Sequence, residues 1–178
     1  LSQSPVYATA MGVKGFETEW RDYSLEAIQM RKSHLEDTLR SLESFSAKTL
    51  SETNQLNLRL FTQLTRNELE ISKYNRHLLP FSHRGGIQLA HEDSGVIPLI
   101  SFDDYYFWIQ RLRNLDKRIE QTIALARLGL QKGYKPPKIL MERVNRQINL
   151  QSHSKVKDSP FYKVFIDLPE SISKEDQT

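Results

Sequence analysis

The chain has 178 residues, a length typical of one domain that buries roughly two thirds of its unfolded surface. Its hydrophobic content of 38%, charged content of 26% and mean hydropathy of -0.56 are typical of globular proteins and argue against a disordered or membrane-embedded chain. It lacks cysteine, which excludes disulfides and cysteine-ligated metal, and no apolar run approaches the roughly 20 residues that cross a bilayer.

The net charge of +3 is unevenly distributed. Residues 105–157 contain 12 lysines and arginines but only 3 acidic residues, and the flanking segments are acidic. A basic segment can mark a polyanion-binding surface. On a helix, however, these cations fill the whole circumference beside the apolar stripe and have no interleaved aromatics for base stacking. We therefore expect solvated helices, or helices facing an acidic partner surface, and no nucleic-acid partner.

The N-terminal segment combines a short helix with aromatic residues. Pro5 suits a first helical turn and Gly12 a C-terminal stop. The following stretch is irregular, and Phe16, Trp20 and Tyr23 are large apolar side chains. We expect them to anchor this stretch on a neighbouring helix.

Two long helices are predicted next. Ser24 is a good N-cap, and the apolar spacing behind it predicts a helix over 24–46. A second pattern begins near Ser51 and is predicted to continue until Pro80 ends it. The short connection at 46–50 favours an antiparallel helical hairpin.

The second half of the sequence again has helical periodicity, which follows an irregular connection. Residues 80–100 are expected to form a loop, and helicity resumes at Ser101 in an apolar stripe that extends to Leu130, with Asn114 as a candidate break. Gly133 should end that helix before the last one begins. We predict an all-α fold of five or six helices, organised as a single module over 1–178 with sub-blocks 1–79 and 101–168 joined by loop 80–100.

No catalytic or metal site emerges from residue spacing. His91-Glu92 begins like a zinc-helix motif, but Gly95 occupies the position of the second histidine. The other histidines lack ligand spacing, and the adjacent Asp103 and Asp104 fit helix capping better than acid–base catalysis. The remaining histidines are His34, His77, His83 and His153.

The stretch between the two helical blocks carries the candidate binding residues. Its glycine pair lets the backbone approach another surface closely, and the preceding His83 and Arg84 can donate hydrogen bonds. We interpret it as a substrate-binding loop, and the alternative is a turn that only packs the two blocks together. The candidate residues are His83, Arg84, Gly85, Gly86 and Gln88.

Several motifs in a fixed order resemble a known family. Pro80-Phe81-Ser82-His83-Arg84-Gly85-Gly86-Ile87-Gln88 is followed by Asp104-Tyr105, Arg111-Leu112, Leu115-Asp116, Pro136-Pro137 and Ser159-Pro160-Phe161. This order resembles the N-terminal part of a large bacterial family catalogued as domain of unknown function 885. The resemblance spans nearly the whole chain.

The resemblance implies a longer helical protein, similar in outline to gluzincin-type zinc metallopeptidases. The family's metal motif, His-Glu-x-x-Pro-Gly-His-His, lies in a C-terminal portion that this sequence does not contain. We therefore expect zinc in the full-length parent and no cofactor in this chain, which is not an enzyme by itself. The chain would be a non-catalytic N-terminal module that forms one wall of a substrate cleft, with the missing C-terminal part and a peptide-like substrate as partners.

Two matters remain open at the level of sequence. A stand-alone helical binding or scaffold module is the alternative function. The chain begins at Leu1 rather than methionine, so we expect a segment upstream of it. The resemblance implies an exported protein, periplasmic or lipid-anchored, and the residues themselves are equally compatible with the cytoplasm.

The first prediction concerns metal. Because the histidines have no ligand spacing and cysteine is absent, the purified chain should retain no stoichiometric zinc and should hydrolyse no peptide. Elemental analysis after dialysis measures the metal. One tightly bound zinc per chain would contradict the prediction.

Overall fold

A computed structural model of the protein describes residues 3–151 and 155–173. Within these ranges the chain is helical and has no β-strand, which confirms the predicted all-α class. The helices are α1 (Pro5–Ala10), α2 (Leu25–Ser44), α3 (Glu52–Ser72), α4 (Phe102–Arg113), α5 (Leu115–Gln131) and α6 (Lys138–Gln151). Short 3₁₀ segments cover Ala47–Thr49, Arg76–Leu78, Ile87–Gly95, Val156–Asp158 and Lys163–Phe165.

The described residues fall into two compact units. One unit, Tyr23–Leu78, contains α2 and α3. The other combines the residues up to Asp22 with those from Leu79 onward, and it contains α1 and α4 to α6. The N-terminal segment therefore shares a unit with helices that lie some ninety residues further along the chain. Organisation as a single module stays a prediction.

Within the first unit, α2 and α3 pack against each other. Both helices begin at the predicted N-caps: the Ser24 hydroxyl accepts the Ala27 amide at 3.2 Å, and the Ser51 hydroxyl accepts the Asn54 amide at 3.4 Å. An Arg66–Glu43 ion pair of 2.8 Å joins the two helices. The antiparallel hairpin arrangement itself stays a prediction.

The end of α3 differs from the expectation. The helix ends at Ser72, well before Pro80, and a turn leads into the 3₁₀ segment Arg76–Leu78. In that turn Asn75 has a φ of 48°. Asparagine tolerates this left-handed conformation better than most residues, and it interrupts the α-helical ladder before proline is reached.

The apolar stripe of α3 is not a core face. Thr65 is the buried residue of this helix, whereas the stripe residues are exposed by between 39% and 66%. The periodicity therefore locates an apolar face correctly but does not tell whether the described chain covers it. The exposed stripe consists of Leu56, Leu60, Leu64 and Ile71 on α3 and Tyr74 in the turn that follows the helix.

The predicted loop 80–100 is wrong over Ile87–Gly95, which forms a 3₁₀ segment of nine residues. Such long 3₁₀ runs are uncommon because their hydrogen bonds are poorly aligned. Burial compensates here, since Gln88 and Ala90 lie in the interior of their unit. Residues three apart eclipse on a 3₁₀ helix, so Gln88 and His91 lie on one face of the segment.

A capping box begins α4. The Ser101 hydroxyl accepts the Asp104 amide at 3.4 Å, and the Asp104 carboxylate accepts the Ser101 amide at 2.8 Å. The same carboxylate accepts the Ile100 amide at 3.1 Å. Partial burial alone would raise the pKa of Asp104, but these hydrogen bonds lower it below 3.8. The capping role expected for this carboxylate is confirmed.

The predicted helix break at Asn114 and the predicted helix end at Gly133 are both present. Asn114 separates α4 from α5. After α5, Gly133 adopts a φ of 83° and donates to the Leu130 carbonyl at 3.1 Å, and the Tyr134 amide donates to the Gly129 carbonyl at 2.9 Å. This pair of bonds is a Schellman motif, which satisfies the last carbonyls of the helix.

The N-terminal segment is held on α4 by a buried arginine. Arg111 is fully buried, and its Nε donates to the Glu17 carbonyl at 2.7 Å. Its Nη2 donates to the Phe16 carbonyl at 2.6 Å and to the Thr9 hydroxyl at 2.7 Å. In return, Trp20 Nε1 donates to the Arg111 carbonyl at 2.6 Å. The Trp20 side chain anchors the irregular stretch on α4, as expected, whereas Phe16 contributes its backbone carbonyl and not its ring.

The burial of Arg111 corrects the expectation that the basic segment is solvated throughout. Burial lowers the pKa of Arg111 to about 10, although Asp93, Glu17 and Glu19 act in the opposite direction. The guanidinium therefore stays charged at neutral pH. Periodicity could not reveal this, because the groups that satisfy Arg111 come from an irregular segment about ninety residues away.

The capping box predicts a pH-dependent stability. Because the folded pKa of Asp104 is lowered, its contribution is present above pH 4 and is lost as the pH falls through the folded pKa. Asp104→Asn should therefore reduce the free energy of unfolding at pH 7, by about 1 kcal/mol if it behaves like other cap losses. Urea unfolding from pH 7 to 3 measures the gap between wild type and variant. The gap should close below pH 4, and a gap independent of pH would contradict the assignment.

Candidate functional site

The strongest candidate site is a set of polar side chains that join the 3₁₀ segment to α6. Gln88 Nε2 donates to Gln147 Oε1 at 3.0 Å, and Gln151 Nε2 lies 3.4 Å from His91 Nδ1. Residues three apart on a 3₁₀ helix and four apart on an α-helix face the same way, so these contacts form two successive rungs. We call these four residues the glutamine–histidine ladder.

The predicted binding loop is fastened to this ladder through its backbone. Gln88 Nε2 donates a second hydrogen bond to the Ser82 carbonyl at 2.7 Å, and Gln147 Nε2 donates to the His83 carbonyl at 2.9 Å. Ser82 and Gly85 form an isolated antiparallel bridge, which closes the loop on itself. The loop conformation is therefore fixed from both sides, and residues 82–88 belong to the same site as α6.

Gly86 is required where the loop meets the ladder. Its φ of 141° and ψ of 177° lie in a region that is essentially restricted to glycine. A Cβ at this position would lie 2.7 Å from Gln88 Oε1. At Gly85, by contrast, a Cβ would meet nothing within 4 Å. Close approach therefore explains the second glycine of the pair but not the first.

The structure brings some of the predicted residues together and leaves others apart. Gln88 is 5% exposed and lies at the centre of the contacts, next to Gly86. His83 is half-buried and held by its carbonyl. Arg84 is exposed, and its guanidinium has no hydrogen bond or ion pair within residues 3–151 and 155–173. It is thus a cation available at the edge of the site.

Several polar atoms of this site are buried without a partner in the described part of the chain. They are Gln88 Oε1, Gln151 Oε1 and His83 Nδ1. Leaving a buried polar atom unsatisfied costs about 1–3 kcal/mol, so folded proteins rarely keep a cluster of them. A polar cluster with unmet hydrogen bonds is therefore a candidate for binding a ligand or ordered water.

Sequence reasoning missed three of the four ladder residues. Gln147 and Gln151 were not distinguished from other polar residues of α6, and His91 was considered only as the start of a zinc motif that Gly95 rules out. Its ring instead packs edge-on against Phe161 at 5.6 Å between centroids. The available signal was the spacing, because two glutamines four apart form a polar stripe on a helix.

Comparison with known families gives a direct result. Residues 5–178 match the family described as "Bacterial protein of unknown function (DUF885)". The chain belongs to this family. A search of curated proteins found no significant match. Membership in DUF885 confirms the resemblance inferred from the loop and helix motifs, and it attaches no activity to the ladder.

The described residues of this DUF885 chain offer no metal centre. Nowhere in 3–151 and 155–173 do three or more histidine, aspartate or glutamate side chains come together as a metal would require. His153 lies outside these ranges. His91 has Gln151 as its neighbour in the ladder, Gln147 donates to the His83 carbonyl, and an amide is a poor zinc ligand. In the same part of the chain, no helix has the length and apolar character needed to span a membrane.

The glycine pair supplies a matched test of the site's geometry. Gly86→Ala forces a strained backbone and pushes the new Cβ against Gln88 Oε1, so it should lower the free energy of unfolding by about 1–3 kcal/mol. Gly85→Ala is the control and should be close to neutral, because its Cβ meets open space. Chemical denaturation measures both. Equal losses for the two variants would contradict the close contact between loop and ladder.

Proposed function

We propose that this chain is the non-catalytic N-terminal helical module of a zinc metallopeptidase-like protein. In this proposal the 82–88 loop and the glutamine–histidine ladder form part of one wall of a cleft that holds a peptide-like substrate. The metal and the catalytic groups come from a further part of the parent. The parent's export from the cytoplasm belongs to the same proposal.

The observation that carries the proposal is the combination of a fixed loop with unmet hydrogen bonds. Gln88 and Gln147 hold the backbone of the loop, so binding a substrate would not require the loop to be ordered first. Arg84 is exposed beside these residues and has a guanidinium free to bind an acceptor. Fixed polar groups beside an available charge are typical of a substrate-positioning surface.

The exposed apolar faces support a module that packs against more protein. The stripe on α3 from Leu56 to Tyr74 is exposed, and so are Phe102, Tyr106 and Ile109 on α4. The α4 residues are spaced by four and three, so they form one continuous helix face. Contiguous apolar patches of this kind mark protein interfaces more often than solvent-facing surface. We propose that the remainder of the parent protein packs against these apolar faces of α3 and α4.

Zinc cannot be assigned to the described residues. The ladder supplies three amides and one imidazole without a carboxylate, and residues 3–151 and 155–173 hold no group of three metal ligands. What the chain contributes is binding and orientation of the substrate, which accelerates a reaction by holding it close to the attack geometry.

Arg84→Ala in the complete gene product tests the role of the loop. If the guanidinium holds substrate, hydrolysis of a quenched-fluorescent peptide library in the presence of zinc should fall by about ten- to a hundredfold in kcat/KM, which is typical for a lost charged hydrogen bond. The melting temperature should stay the same, because Arg84 is exposed and its side chain makes no hydrogen bond or ion pair in the described residues.

The control is Arg127→Ala, which removes an exposed arginine of α5 and should change neither quantity. A lower melting temperature with unaltered kinetics for Arg84→Ala would reduce the loop to a packing element. If the zinc-loaded wild type hydrolyses no library peptide, the peptidase-like function is wrong and the stand-alone binding module is favoured.

A further inference from the structure

We propose that the glutamine–histidine ladder binds an N–H donor of the peptide substrate, either its terminal ammonium or a main-chain amide, and not its carboxylate. The observation that carries this inference is that Gln88 Oε1, Gln151 Oε1 and His83 Nδ1 are buried without a partner on residues that belong to the ladder or are bonded to it. The inference rests on the proposed function for the identity of the ligand as a peptide. It rests on the ladder alone for the chemistry of the contact.

The atoms left without a partner are acceptors or can act as acceptors. Two of the three are amide oxygens, which can only accept hydrogen bonds, and an imidazole Nδ1 accepts whenever the proton is on Nε2. The amide nitrogens are already engaged: Gln88 Nε2 in two bonds, Gln147 Nε2 with the His83 carbonyl and Gln151 Nε2 with His91. The atoms left without any partner are therefore acceptors, while Gln147 Nε2 and Gln151 Nε2 each keep one further N–H.

A carboxylate does not match these buried acceptor atoms. A carboxylate is an acceptor, so it would face the amide oxygens of Gln88 and Gln151 without receiving hydrogen bonds from them. Burying an anion against such oxygens is unfavourable unless donors compensate. Arg84 is the exposed donor at the edge of the loop, outside the buried cluster. A peptide carboxylate would therefore bind near Arg84, if at all, and not at the ladder.

Hydrogen bonds hold the Gln88 acceptor in place before any ligand arrives. The two hydrogen bonds of Gln88 Nε2 fix the orientation of its amide plane. Gly86 allows Oε1 to lie close to the backbone, where any Cβ would collide with it. A side chain fixed in this way loses little conformational entropy when it binds, which favours affinity and selectivity.

Side-chain amide NMR of the 178-residue chain tests the inference. The ¹⁵N-labelled chain is titrated with trialanine amide, N-acetyl-trialanine amide and N-acetyl-trialanine. The first peptide offers an ammonium and amides, the second only amides, and the third adds a carboxylate. The side-chain signals of Gln88, Gln147 and Gln151 should move with the first two peptides, and the carboxylate should add no affinity. Preference for the first peptide identifies the ammonium as the donor, and equal binding identifies a main-chain amide.

Variants localise the effect. Gln88→Met removes the buried acceptor and should weaken binding at least tenfold, which corresponds to about 1.4 kcal/mol. Because Gln88 also holds the loop, Gln151→Met is the second variant; its described side-chain contact is with His91 alone, and it should weaken binding while the chain stays folded. The control is Gln131→Met at the exposed end of α5, which should bind as the wild type does.

The outcomes that overturn the inference are specific. If N-acetyl-trialanine binds tightest, the ladder binds carboxylates. If none of the peptides moves the glutamine signals at about 10 mM, where even weak sites fill, the ladder holds ordered water only.

The result also separates this inference from the proposed function. If the glutamine signals do not move but Arg84→Ala lowers kcat/KM, the proposed cleft wall is supported and the proposed donor contact at the ladder is contradicted. If the glutamine signals move but the kinetics of Arg84→Ala are unaltered, the donor contact is supported and the role of Arg84 in the cleft wall is contradicted.

Discussion

The buried guanidinium of Arg111 is the constraint on which the larger unit depends. A charged group without solvent must be satisfied by hydrogen bonds, and breaking such an arrangement typically costs about 3–5 kcal/mol. Here the Phe16 and Glu17 carbonyls come from a segment without regular structure and the Thr9 hydroxyl comes from α1, and together they accept from Nε and Nη2; Nη1 has no partner in the described residues. The irregularity of that segment has a function, since backbone carbonyls inside a helix would not be available to a partner. Arg111 thereby ties the first residues of the chain to α4.

The same electrostatic cluster reaches the candidate site. Arg118 lies over the Trp20 ring at 4.6 Å and 3.6 Å from Asp93, at the end of the 3₁₀ segment. Burial raises the pKa of Asp93, while Arg118 and Arg111 act in the opposite direction, so this carboxylate depends on both arginines to stay ionised in its half-buried position. The segment anchored by Asp93 carries Gln88 and His91. The ladder is therefore connected to Arg111 through Asp93, Arg118 and Trp20.

The elements that could be predicted from sequence are those that local chemistry decides. Ser24 and Ser101 cap helices because their hydroxyls reach amides three residues away, and Gly133 stops one because it alone tolerates the required φ. Long-range partners decided the rest. Arg111 has the pattern of a solvated cation until its distant acceptors are known, and the apolar stripe of α3 resembles a core face although it is exposed. For the site, Gln88 was predicted but its partner Gln147 was not, because contact across 59 residues leaves no periodic trace.

A crystal structure of the chain grown with trialanine amide tests most directly whether the ladder is a recognition site. The acceptor geometry requires a peptide nitrogen within hydrogen-bond distance of Gln88 Oε1 or Gln151 Oε1, with the loop backbone in the conformation described here. Unchanged rungs between the 3₁₀ segment and α6 would show that the acceptors were in place beforehand. A water molecule at those oxygens, with the peptide absent or bound elsewhere, would contradict the recognition site and leave the ladder as a hydrated packing contact.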